Sequence, residues 1–74
     1  MKNKYLVTEI QVFANGGVSN PTYAYESKNA ALAKYHNILA AAAVSELPVH
    51  SALMFTMEGI PLCYESFLHG DTTI

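Results

Sequence analysis

The chain has 74 residues, enough for one domain and too few for a core of comfortable size. Half of it is hydrophobic (51%) and only 14% is charged, so its surface carries few charges for a small soluble domain and part of it is expected to be covered. The formal net charge is −2, the only cations are four lysines, and no arginine is present. This excludes the basic stripe of a nucleic-acid binder and the bidentate anion clamp that arginine supplies.

Lys4 to Phe13 (KYLVTEIQVF) alternates and is rich in β-formers, which predicts a strand. Leu6, Ile10 and Val12, with Thr8 among them, are expected to face the core. Tyr5, Val7, Glu9, Gln11 and Phe13 then point the other way. Asn15-Gly16 is a hairpin signal, with a second strand from about Val18 to Tyr25. A two-residue turn sets Tyr23 opposite Thr8 and Tyr25 opposite Leu6, on the core side. The extra Gly17 allows a longer loop that shifts this register. Pro21 lacks a donor, so this strand belongs at an edge or is irregular.

Ser27 to Val44 (SKNAALAKYHNILAAAAV) is the only long helical pattern, with Ser27 as N-cap. Leu32, Tyr35, Leu39 and Ala42 recur at helical spacing, and Ala31 and Ile38 widen the stripe. The run Ala40 to Ala43 either favours the helix through propensity alone or gives another backbone a smooth surface to approach. Pro48 ends the helix through its constraint on the preceding residue. The segments Val49–Met57 and Ile60–Leu68 form a second hairpin around Glu58-Gly59. A two-residue turn pairs Met57 with Ile60, Phe55 with Leu62, Leu53 with Tyr64 and Val49 with Leu68, all apolar and on one face. His50 and Phe67 become cross-strand neighbours. The expectation is an α+β two-layer fold, β-β-α-β-β: a four-stranded antiparallel sheet with one helix across one face. One domain spans 1–69, and 70–74 form a frayed tail.

Such a helix covers one face of the sheet. The register places Tyr5, Val7, Phe13, Met54 and Phe67, with His50 and Cys63, on the other face. That apolar set is expected to be the interface of a homodimer or higher oligomer. Self-association also suits a chain that lacks other staples, since Cys63 is its lone cysteine.

Little in the sequence points to catalysis or metal. His36, His50 and His69 show no ligand spacing, so neither a metal nor a cofactor is expected. Cys63 has no basic neighbours to activate it, and Ser27, Ser45, Ser51 and Ser66 sit in no nucleophile elbow. The chain reads as a non-enzymatic protein, with an active site across a subunit interface as the minor alternative. Lys34, His36 and His50 are the groups placed to meet a small phosphate-bearing ligand between subunits. No apolar run is long enough to cross a membrane, and the N-terminus has no apolar signal block, so a reduced, cytoplasmic setting is expected.

The block Ala33 to Ser45 (AKYHNILAAAAVS), followed by Pro48-Val49-His50-Ser51-Ala52, resembles a group of short uncharacterised proteins encoded by phages and prophages of Firmicutes. KYLVTEIQVF and TYAYESKNAALAKYH carry the same resemblance, which covers most of the chain and brings no catalytic motif. It implies a mobile-element accessory protein, and hence a counter-defence factor that inhibits bacterial immunity. Such a factor either binds a host defence protein or sequesters a nucleotide-type signal. The alternative is a structural or regulatory phage protein that acts through self-assembly.

Overall fold

The computed structural model describes residues 4–69. The expected tail at 70–74 lies outside them. The elements run β1 (Tyr5–Val12), β2 (Val18–Ser19), β3 (Thr22–Tyr25), α1 (Lys28–Val44), β4 (Val49–Thr56) and β5 (Pro61–Leu68). They form one antiparallel sheet with a single helix packed on it, the α+β arrangement expected. The order is β2-β1-β4-β5, with β3 also beside β1. β1 and β4 therefore make the centre. β2 and β3 share one register against β1 and are a single edge strand broken at Asn20-Pro21, where proline was expected to make it irregular.

Both hairpins use a loop one residue longer than the tight turn expected. In the first, Phe13 N–H donates to Gly17 O and Gly16 N–H to Phe13 O, with Gly16 at φ +90. The Asn15 side chain closes the loop by accepting from Gly17 N–H at 2.8 Å. The added residue moves the register by one, so Tyr23 lies opposite Val7 and Tyr25 opposite Tyr5. In the second, Thr56 N–H donates to Ile60 O and Gly59 takes φ +89. Here the shift is local. Phe55 pairs with Pro61, and an irregularity next to it restores Met54 opposite Cys63. The expected Leu53–Tyr64, Val49–Leu68 and His50–Phe67 pairs all form, while Phe55–Leu62 and Met57–Ile60 do not. A bulge absorbing one residue is the ordinary way to keep a register past a long turn.

The helix starts as expected. Ser27 Oγ accepts from Ala30 N–H at 3.3 Å. Ala31, Tyr35, Ile38 and Ala42, spaced four, three and four apart, are its buried face, and Leu32 and Leu39 flank them half-buried. Ala31, Tyr35 and Ile38 pack on Val7, Ala52 and Met54, all three fully buried. Each such side chain contributes roughly 1.5–3 kcal/mol through burial when it is Val- or Met-sized.

This contact corrects the expected faces. The helix lies over the side of the sheet that carries Tyr5, Val7, His50, Met54, Cys63 and Phe67, not over Leu6, Ile10 and Val12. Val7 and Met54, expected on an open interface, are core residues beneath the helix. Tyr5 packs half-buried against the same core, and Phe67, half-buried, shares that side. Phe13 sits past the end of β1 at the loop, 37% exposed. Tyr23 and Tyr25 do lie on the helix side, because the one-residue shift and the inverted face offset each other. The physical reason is width. A helix about 10 Å across covers only the middle strip of a sheet, so the polar residues of that side, Gln11 and Glu65, can stand beside it.

Candidate functional site

Two features stand out: a polar chain buried beneath the helix C-terminus and the open face of the sheet. The first begins at Ser45, which follows the last turn of α1 and whose N–H donates to Ala42 O. Its hydroxyl lies 3.0 Å from His50 Nδ1, on β4. His50 Nε2 lies 2.6 Å from Glu9 Oε2, on β1. Ser45 Oγ also accepts from Leu47 N–H at 3.4 Å. For a neutral ring the network fixes the tautomer: Nε2–H donates to the carboxylate and Nδ1 accepts from the Ser45 hydroxyl. His69 adds a second tie, donating from Nε2 at 2.6 Å to Ala42 O, the carbonyl that also accepts from Ser45 N–H.

Serine, histidine and carboxylate in this order are the parts of a nucleophilic relay. Yet His50 is 5% exposed at its side chain, and no pocket opens among the described residues. Within one chain a substrate has no seat beside Ser45. What the chain does is anchor the end of the helix to the two central strands. The sequence showed Ser45 as a helix end and His50 five residues on, but Glu9 joins them only because β1 pairs with β4.

Lys34, His36 and His50 do not converge. The Lys34 ammonium sits 4.1 Å from the centre of the Tyr23 ring, a cation–π contact at the β3 side. His36 is exposed and meets the edge of Tyr35. His50 is enclosed by Glu9 and Ser45. Among the described residues no cluster of three or more His, Cys, Asp or Glu could hold a metal, and no helix is long and apolar enough to cross a membrane.

Tyr35 shows how tightly the helix is seated. Burial pushes its phenol up to about 12 from an ordinary 10.0, and the neighbouring Cys63 and the Glu65 carboxylate add to the shift. A raised phenol pKa means that the folded chain holds its proton where the unfolded chain releases it. Stability is then whole below about pH 10 and falls as pH rises from about 10 towards about 12. The slope of urea midpoints across that window should flatten in Tyr35→Phe.

The open face is the second feature. β1 contributes Leu6, Thr8, Ile10 and Val12, and β4 contributes Val49, Ser51, Leu53 and Phe55. β5 adds Tyr64, Ser66 and Leu68, and β3 adds Thr22 and Ala24. No charged residue stands on this face along these strands. Its serine and threonine hydroxyls are paired across strands, Thr8 with Thr22 at 2.9 Å and Ser51 with Ser66, while the Tyr64 hydroxyl stands in the open. Tyr64 is 72% and Leu68 49% exposed. A partner covering this face would strand no charge and few unmet hydrogen bonds, which are the main costs of covering polar surface. No family model, curated protein or solved structure matches the chain.

Proposed function

We propose that the chain is a small, non-enzymatic, homo-oligomeric binding protein of a phage or prophage, a counter-defence factor acting in the bacterial host cytoplasm. One observation carries the self-association: the helix-free face of the sheet is free of charge along its strands, and its serine and threonine hydroxyls on β1, β3, β4 and β5 are already paired. A face of this composition favours a second copy of itself, apolar side against apolar side. The resemblance to phage-encoded proteins of Firmicutes supports the rest. Of the two counter-defence mechanisms, binding a host defence protein fits better than sequestering a nucleotide. Lys34, His36 and His50 meet different partners, and phosphate would need them together.

Light scattering at micromolar concentration tests the first step. A mass above 8.1 kDa is expected, and Leu53→Lys with Phe55→Lys should lower it. A wild-type chain of one copy would sink the reading. Pull-down from host lysate, with small-molecule analysis of the eluate, tests the second. A retained nucleotide and no retained protein would reverse the order of the two mechanisms. The alternative, a structural or regulatory accessory protein acting through self-assembly, is favoured by the unprotected edge of β5 and predicts a large assembly that retains neither.

A further inference from the structure

The two edges of the sheet differ. One is short and broken at Asn20-Pro21. The other is β5, eight residues from Pro61 to Leu68, with its proline at the first position. Edge strands are ordinarily blunted by proline, lysine or a covering loop, because their free N–H and C=O groups invite another strand. β5 has no lysine, and its one charge, Glu65, stands on the helix side. It is also the most exposed strand.

The ladder shows which groups are free. His69 N–H donates to Pro48 O, so that pair is hydrogen-bonded, and the alternation of an antiparallel ladder makes Phe67–His50 and Glu65–Ala52 bonded pairs as well. Tyr64, Ser66 and Leu68 therefore aim their N–H and C=O at the open edge.

We propose that β5 pairs with β5 of a second copy in antiparallel register about a two-fold axis at Ser66. Tyr64 then lies opposite Leu68 of the other copy, and Ser66 opposite its own mate. This is the register in which the outward groups of Tyr64, Ser66 and Leu68 all find partners. Moving it one step toward Pro61 sets Glu65 against Glu65, a like-charge pair that destabilises a sheet. Moving it the other way leaves Tyr64 beyond Leu68 of the second copy. A two-fold at Ser66 keeps both helices on one side and joins the two open faces into one.

Area explains why the joined face matters. Four strands of about eight residues, about 4.8 Å apart and rising about 3.4 Å per residue, have a flat footprint of about 500 Å². A standard interface covers about 800 Å² per partner. The joined face, about 1000 Å², reaches that size where one chain's does not. Two edge-paired dimers closing face to face make a tetramer of D₂ symmetry, the commonest closed form after the C₂ dimer. The edge pairing itself does not depend on the face closing.

The test is site-directed cross-linking of the full chain. In a Cys63→Ser background, Ser66→Cys should oxidise to a covalent dimer, because bonded pairs stand about 5.5 Å apart at Cα, inside disulfide range. Glu65→Cys should not, since its mate lies diagonally, beyond the roughly 7 Å limit. Tyr64→Pro removes only an outward donor and should lower the native mass to one copy, because one chain's face alone falls short of a stable interface, while Tyr64→Thr, which keeps the N–H, should not. Absence of the Ser66→Cys cross-link, equal cross-linking through Glu65→Cys, or an unchanged mass in Tyr64→Pro overturns the proposal. If Ser66→Cys cross-links but Leu53→Lys with Phe55→Lys leaves the mass unchanged, the face reading alone has failed.

Discussion

Met54→Ala is expected to lower the unfolding free energy by about 2–5 kcal/mol, the cost of truncating a long buried side chain. Met54 is fully buried where β4 meets the helix, among Val7, Ala52, Tyr35 and Ile38. For a domain this small that is a large part of a total on the order of 5 kcal/mol. Leu53→Ala, one residue earlier, removes a similar volume from the opposite face. Leu53 is only partly buried in the single chain, so its truncation should cost less than half as much when urea unfolding is followed at high dilution. At high concentration its cost should rise, because oligomerisation adds stability by mass action. A larger loss for Leu53→Ala than for Met54→Ala at high dilution would put the helix on the other face.

This comparison turns on what the sequence left ambiguous. The helix was legible because capping, periodicity and a terminating proline agree at Ser27, Tyr35–Ala42 and Pro48. The strands were legible from their alternation, and the Leu53–Tyr64 and Val49–Leu68 register from the apolar residues it pairs. Which face meets the helix was not. Leu6, Ile10 and Val12 are as apolar as Tyr5, Val7 and Met54, so hydropathy ranks the two sides nearly alike, and a one-residue slip exchanges them. Fit decides instead. Small Ala52 and slim Val7 let the helix come close at Ala31, and unbranched Met54 fills what remains.

The loops depart from two-residue turns for a related reason, the first in the way that Gly17 allows. Asn15-Gly16 and Glu58-Gly59 each suggest a two-residue turn, but in both the glycine is the last of three loop residues, where the left-handed conformation is needed. In the second hairpin the irregularity beside Phe55 absorbs the extra residue, so the rest of the β4–β5 register is kept. Alternation alone points Glu9 away from the expected core. Glu9 is paired with His50 instead, a contact that needed the β1–β4 adjacency, and strand order is set by tertiary packing.

That pair supplies the second large effect. Glu9→Leu should destabilise the fold by about 3 kcal/mol, near the lower end for breaking a buried pair, because the Glu9 side chain is 16% exposed and not wholly enclosed. The loss comes from His50, whose side chain is 5% exposed and cannot turn to water for a new acceptor. His50→Leu should cost less, about 1–2 kcal/mol, since Glu9 lies nearer solvent and the half-buried Ser45 hydroxyl can be hydrated. The double variant, with an apolar pair in the same volume, should recover most of the larger loss, because it leaves neither partner stranded. A double-mutant cycle in urea should thus return a coupling above about 3 kcal/mol, at the top of the range for residues in contact. The order of the costs identifies the mechanism: Glu9→Leu worst, His50→Leu next, the pair together best. Strictly additive losses would mean that the 2.6 Å contact does not hold the helix end to the sheet.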